Sequence, residues 1–176
     1  MNLTTLLNAP QYDGLLQDNN WQKADLYDLT TGSTFWNRAI IITLPKIYAE
    51  TNTVALIYLL QKQTHALDIW EREWGNITPT IHDFINFFIA EKGFTNTEGQ
   101  SISAEFFWEK YSPTIEGITA EPGFEFSKND IAEPYTNLLN KGDIIQVICF
   151  DDTWDEQNYF IETTTEWVLY HWSSAA

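Results

Sequence analysis

Four carboxylates and one tryptophan lie close together near the end of the chain. Such a group of residues forms a surface that attracts cations. The stretch 142–174 has aromatic and β-branched residues on both sides of them, which predicts two strands with the acidic residues at the turn. A carboxylate-rich turn attracts metal ions or basic protein surfaces, and an exposed indole adds a rigid apolar contact. The candidate site residues are Asp151, Asp152, Trp154, Asp155 and Glu156.

The pattern around Asp151 matches a calcium-binding loop only in part. Counted from Asp151, Asp155 and Glu162 fall at the fifth and twelfth positions, but Glu156 occupies the sixth, where that loop needs glycine for its sharp turn. The flanking segments predict strands, whereas the calcium loop lies between helices. The histidines, at positions 65, 82 and 171, also lack the spacing of a transition-metal site. We therefore expect no metal and no cofactor.

The sequence contains no motif for nucleophilic catalysis or phosphate transfer. The single cysteine, Cys149, lies in the apolar run IIQVICF, where burial raises the pKa of a thiol. The chain contains neither Gly-x-Ser-x-Gly nor a glycine-rich phosphate-binding loop. We therefore expect a protein that is not an enzyme.

A second set of acidic residues leaves an enzymatic alternative open. Carboxylates next to tryptophan platforms are typical of glycoside hydrolases and of sugar-binding clefts. The alternative hypothesis is a small hydrolase or carbohydrate-binding protein, and it requires that the carboxylates face one cleft, about 5–10 Å apart. The acidic residues of this set are Asp68, Glu71, Glu73, Glu105 and Glu109, and the neighbouring tryptophans are Trp70, Trp74 and Trp108.

The charge of the chain restricts its partners. Its 176 residues carry a net charge of −16, and the second half, 91–176, holds 16 acidic against 4 basic residues. Nucleic acid and anionic membranes are poor partners for such a surface, whereas a basic protein is steered towards it. Neither a signal peptide nor an apolar run long enough to span a bilayer is visible, so we expect a cytoplasmic protein.

The strands and helices predicted around the acidic residues indicate a single α+β domain over residues 1–176. We expect an antiparallel sheet that includes a C-terminal hairpin and packs with several helices. The run 35–44, ended by Pro45, predicts a buried strand. Residues 51–74 favour a helix, with a strand over Val54–Leu60 as the alternative, and residues 79–92 predict a helix capped by Thr78. Residues 2–31 predict short helical pieces and 103–112 a short helix. Residues 112–128 predict a surface connection, with a strand at Phe124–Phe126 as an option within it, and 130–140 a further helical segment.

The ending NYFIETTTEWVLYHWSSAA is similar to the C-terminal hairpins of several small bacterial immunity proteins of polymorphic-toxin and contact-dependent inhibition systems. Such hairpins end in an aromatic strand that closes on tryptophan and small residues, matched here by Tyr170, Trp172, Ser173 and Ser174. The resemblance covers about twenty residues. It implies a non-enzymatic protein that neutralises one toxin. The acidic residues favour a basic, nuclease-like active site as the surface that is covered. A DNA-mimic inhibitor of a nucleic-acid-binding protein would use the same surface and remains an alternative.

Overall fold

An eight-stranded antiparallel sheet forms the centre of the protein, in the order β3-β6-β7-β8-β2-β1-β4-β5. The structure is a computed structural model, and it describes residues 1–31, 36–91, 94 and 96–175. The predicted α+β class with an antiparallel sheet and a C-terminal hairpin is confirmed. The strands are β1 (Asp25–Thr31), β2 (Trp36–Pro45), β3 (Gln100–Ile102), β4 (Phe124–Lys128), β5 (Ile131–Ala132), β6 (Ile144–Asp152), β7 (Glu156–Thr163) and β8 (Glu166–Ala175).

Helices cover both faces of the sheet. On β2, Ile40 and Ile42 belong to the core formed with α1 to α4, whereas Ile41 belongs to the core formed with α5. Because successive side chains of a strand point to opposite faces, these two cores lie on opposite sides of the sheet, here called the α2 face and the α5 face. The helices are α1 (Leu3–Leu6), α2 (Asn52–Ala66), α3 (Ile69–Glu73), α4 (Ile81–Glu91) and α5 (Ala104–Ala120).

The helices predicted over 51–74 and 79–92 are present, with two differences of detail. The segment predicted as one helix over 51–74 is divided into α2 and α3 at Asp68, whose φ of 54° is left-handed and breaks the helical path. The cap of α4 is Thr80 and not Thr78: Thr80 Oγ1 accepts from Asp83 N at 3.2 Å and donates to Asp83 Oδ2 at 2.8 Å. Lys92, the last residue of the predicted helix, lies outside the described residues.

Two predictions in the segment 103–140 are wrong. Ser103 caps α5 as expected, but the helix continues through Pro113 to Ala120, where a surface connection was predicted. Burial of Ile115 and Ile118 against the sheet outweighs the hydrogen bond that proline removes. Residues 130–140 form no helix, because Asn129 and Asp130 both have positive φ and turn β4 back into the short strand β5.

The C-terminal segment contains three strands instead of the two predicted. Thr164 and Thr165 separate β7 from β8, and Thr163 Oγ1 accepts from Glu166 N at 2.9 Å in this tight turn. Strand β1, predicted as helical, is also a strand, and it pairs with β2 and β4. Within the described ranges, helices long and apolar enough to cross a bilayer are absent.

Candidate binding surface

The acidic tip, defined here as residues 152–156, is the end of the β6–β7 hairpin. Thr153, Trp154 and Asp155 connect the two strands. Trp154 is 78% exposed, which is an unusual position for the largest apolar side chain. The predicted combination of an exposed tryptophan with neighbouring carboxylates is therefore present at a turn.

Hydrogen bonds hold the backbone of the acidic tip in one conformation. Thr153 N donates to Glu156 O at 2.8 Å, Glu156 N donates to Thr153 Oγ1 at 3.1 Å, and the Thr153 hydroxyl lies 2.9 Å from Asp155 Oδ1. Ser174 N, at the end of β8, donates to Asp155 O at 2.9 Å. The tip is thus closed on itself and attached to the last strand, so Trp154 is presented from an ordered base.

The two aspartates before the turn are less accessible than the sequence suggests. Asp151 is 6% exposed and lies within β6 opposite Asn158, after a bulge that follows Cys149. Asp152 ends β6 half-buried, and its Oδ2 lies 3.6 Å from Lys110 Nζ on α5. Trp154, Asp155 and Glu156 are therefore the candidate residues that a partner can contact. Asp151 is buried and influences neighbouring groups through its charge.

Burial and these aspartates change the acidity of two neighbouring groups. Burial raises the pKa of the Cys149 thiol to about 11, and the charges of Asp152 and Asp151 add to the effect. Burial and the Asp152 carboxylate likewise raise the pKa of Tyr159. Cys149 is therefore a protonated, buried thiol at neutral pH, as the apolar run predicts, and it is unsuited to act as a nucleophile.

A row of residues on the α2 face connects the acidic tip with a second acidic region. Glu156 on β7 pairs with Ser173, Ser173 with Arg38, Arg38 with Thr30, and Thr30 with Glu125 on β4. Cross-strand partners place their side chains on the same face, and neighbouring strands are ~4.8 Å apart, so this row is about 19 Å long.

The far end of the row opens into a groove of about 590 Å³. Its lining, which we call the acidic groove, includes Asp28, Glu125, Asp130 and Glu133. Asp28 accepts two hydrogen bonds from the Arg38 guanidinium, at 2.6 and 3.0 Å. Local sequence does not reveal this groove, because its carboxylates come from β1, β4, the turn between β4 and β5 and the residue after β5, and they meet only through strand pairing.

The carboxylates of the hydrolase alternative do not meet in one cleft. Trp70, beside Asp68 and Glu71, packs into the core on the α2 face, whereas Trp108, beside Glu105, packs against the core on the α5 face. The two groups therefore lie on opposite sides of the sheet. A catalytic pair with one carboxylate from each group is therefore not formed.

The histidines lie apart and serve separate contacts. His65 is stacked between Trp21 and Trp70, at ring distances of 4.1 and 4.5 Å. His82 Nδ1 lies 2.9 Å from the Leu7 carbonyl oxygen, and His171 lies beside Asn158 on the sheet. Among the residues that the structure describes, three potential metal ligands do not come together anywhere.

Comparisons with known proteins give no match: no family model, no curated protein and no solved structure is similar to this chain.

Proposed function

We propose that this protein is a non-enzymatic binding protein that neutralises a bacterial toxin by covering its basic active-site or substrate-binding surface. The observation that carries the proposal is the exposed Trp154, held on an ordered tip next to Asp155 and Glu156. Tryptophan is strongly enriched among the residues that dominate protein–protein binding energy. A protein does not gain stability by holding this side chain in water, whereas a partner that buries it gains a large apolar contact.

The electrostatic field of the molecule supports a cationic partner. The net charge is −16, and the acidic tip and the acidic groove lie at the two ends of one cross-strand row on the α2 face. Complementary charge accelerates association and selects against acidic partners. A basic surface about 20 Å across is the size of partner that would meet both ends of the row.

The fixed conformation of the tip supports tight binding. Asp155 and Glu156 are held by Thr153 and by the end of β8, so little conformational freedom is lost when a partner binds. Their carboxylates then replace the phosphates of the partner's natural ligand, and Trp154 takes the place of a base. The partner's own substrate is excluded because the same surface is covered.

The experiment is calorimetric titration of the purified protein with the toxin domain encoded by the adjacent reading frame. We expect 1:1 binding that weakens about tenfold or more between ~50 and ~300 mM NaCl, because the distance over which surface charges are screened falls from roughly 14 Å to roughly 6 Å in that range. Trp154→Ala is expected to weaken binding about thirtyfold or more, the loss typical of a residue at the centre of an interface.

Ile47→Ala is the matched control for Trp154→Ala. Ile47 is 82% exposed but follows Pro45, at the opposite end of β2 from the residues that pair near the tip. Its replacement should leave the affinity unchanged. Equal effects of the two substitutions, or binding that salt does not weaken, would refute the proposed surface.

A further inference from the structure

A buried asparagine connects Glu156 of the acidic tip with His171 on the last strand. Asn158 is 1% exposed, and its cross-strand partner on β8 is His171. Asn158 Nδ2 donates to Glu156 Oε1 at 3.0 Å, and Asn158 Oδ1 lies 2.8 Å from His171 Nδ1. Glu156 Oε1 and His171 Nδ1 are themselves 3.9 Å apart. The three side chains form one hydrogen-bonded unit at the base of the tip.

The acceptor-only character of a carboxylate determines where the hydrogen atoms of this unit lie. Glu156 can only accept, so the amide nitrogen of Asn158 must face it and the amide oxygen must face His171. That oxygen also only accepts, and His171 must therefore carry its proton on Nδ1. The neutral imidazole is thus the Nδ1–H tautomer, and a second proton, taken up at Nε2, creates a positive charge without breaking either hydrogen bond.

We propose that Asn158 and His171 are positioning residues of the acidic tip, and that protonation of His171 makes the affinity of the tip for a cationic partner dependent on pH. Asn158 orients the Glu156 carboxylate, and His171 orients Asn158. When His171 becomes charged, it offsets part of the negative charge that the partner meets at Glu156. The nature of the partner rests on the proposed function, whereas the coupling of His171 to Glu156 does not.

The charged groups that the described residues place near His171 lie in the sheet. Glu156 on β7 is the nearest, and Asp151 on β6 is the cross-strand neighbour of Asn158. Towards β1, His171 pairs with Ile40, whose neighbours in the sheet include the Arg38–Asp28 ion pair.

On the helical side, His171 and Asn158 border a small cavity of about 70 Å³. Its other described lining residues carry no charge: Gln63, Leu67, Ile69, Phe88 and Phe94. Acidic side chains therefore dominate the described surroundings of the imidazole, and Glu156 is the closest of them.

The direction of the pH effect follows from which group titrates. Between about pH 8 and pH 5.5 an ordinary histidine changes charge, while ordinary carboxylates stay ionised. His171 is 20% exposed, so protons reach it from solvent. Affinity for a cationic partner is expected to fall as the pH falls, about three- to fivefold for one added charge several ångströms from the interface.

The coupling can be tested without any partner, by an NMR titration of the His171 ring. In Glu156→Gln the midpoint of the His171 titration should move to lower pH, because the nearest negative charge is lost. Glu50→Gln, a change of an exposed glutamate outside the described surroundings of His171, is the control and should leave the midpoint in place. A midpoint that does not respond to Glu156→Gln overturns the proposal, whatever the partner proves to be.

The second test measures the affinity for the adjacent-frame toxin domain from about pH 8 to pH 5.5. His171→Asn places an amide N–H where Nδ1–H stood and cannot be protonated, so it should keep the wild-type affinity at pH 8 and lose the pH dependence. A pH dependence that persists in His171→Asn overturns the proposed role. Absence of binding by the wild type at every pH would instead refute the proposed function, and the NMR result would stand by itself.

Discussion

The backbone N–H of Ser174 donates to the carbonyl oxygen of Asp155 at 2.9 Å, so the end of the last strand holds the acidic tip. Strand β8 pairs along its length with β2 on one side and with β7 on the other. The tip is therefore attached to the middle of the sheet and not only to its own hairpin. This attachment explains how an exposed tryptophan is kept in a fixed position.

Replacement of Thr153 by valine is expected to loosen the tip while leaving the fold intact. Valine keeps the β-branched shape but removes the hydroxyl that bonds to Asp155 and Glu156, at a cost of about 1 kcal/mol in the free energy of unfolding. Hydrogen exchange of the tip amides should accelerate, and affinity for the partner should fall. Thr164→Val, at the exposed turn of the other hairpin, is the control, and an equal effect on tip exchange would contradict the assignment.

Local sequence predicts a helix or strand correctly when the burial of its side chains follows one simple pattern. Strand β2 is predicted correctly because its run of isoleucines is buried on both faces of the sheet. Strand β1 is missed because it alternates leucine with aspartate and tyrosine, and such a short pattern also fits a helix. Helix α5 is missed beyond Pro113 because the burial of Ile115 and Ile118 depends on a sheet that local sequence does not reveal.

The candidate surface follows the same rule. Trp154 at a turn is predicted from the residues that flank it, because strands on both sides leave little else for the connection. The burial of Asp151 depends on a bulge between Cys149 and Asp151, which shifts the register by one residue. The acidic groove depends on pairing between β1 and β4, which are almost one hundred residues apart in the chain.

Gly99 is expected to tolerate no side chain. Its φ is +63°, and a Cβ would lie 2.7 Å from the Met1 carbonyl oxygen and 2.8 Å from Ile148 Cγ2. Gly99→Ala should therefore lower the free energy of unfolding by about 2–4 kcal/mol, through a left-handed backbone together with overpacking. Urea denaturation measures the loss.

Gly75→Ala is the matched control for the glycine prediction. Gly75 has a similar φ of +55°, but the nearest atom to its Cβ would be 3.8 Å away. Only the backbone cost of about 1 kcal/mol is expected there. Equal losses for both substitutions would show that the contacts of Gly99 with Met1 and Ile148 contribute nothing.

Alkaline pH is expected to weaken the fold through Cys149. Burial raises the pKa of this thiol from 9.0 to about 11, so the folded state keeps its proton at a pH where the unfolded chain has lost it. The stability that this difference contributes is complete below pH 9 and is lost as the pH rises towards 11. In Cys149→Ala, this part of the decline between pH 9 and 11 should be absent.

Two measurements test the thiol prediction. The difference in free energy of unfolding between the wild type and Cys149→Ala should shrink as the pH rises, because the substitution removes the thiol. Iodoacetamide should also react far more slowly with the folded protein than with the unfolded chain at pH 8.5, because only the thiolate reacts. Rapid alkylation of the folded protein would contradict the burial and the raised pKa of Cys149.

Mild acid is expected to weaken the fold through His65, which is stacked between Trp21 and Trp70. Burial, and secondarily the charge of Lys62, lower the pKa of His65, so the unfolded chain binds a proton at a pH where the folded protein does not. The stability contributed by the neutral ring is present above about pH 6.5 and decreases as the pH falls towards the folded-state pKa.

His65→Phe keeps an aromatic ring in the stack but cannot be protonated. Urea denaturation at pH 7.5 and pH 5 should therefore show a larger loss for the wild type than for His65→Phe, since the two proteins differ only at this ring. Parallel losses would mean that the ring is protonated within the stack, where the two indole faces would stabilise its charge.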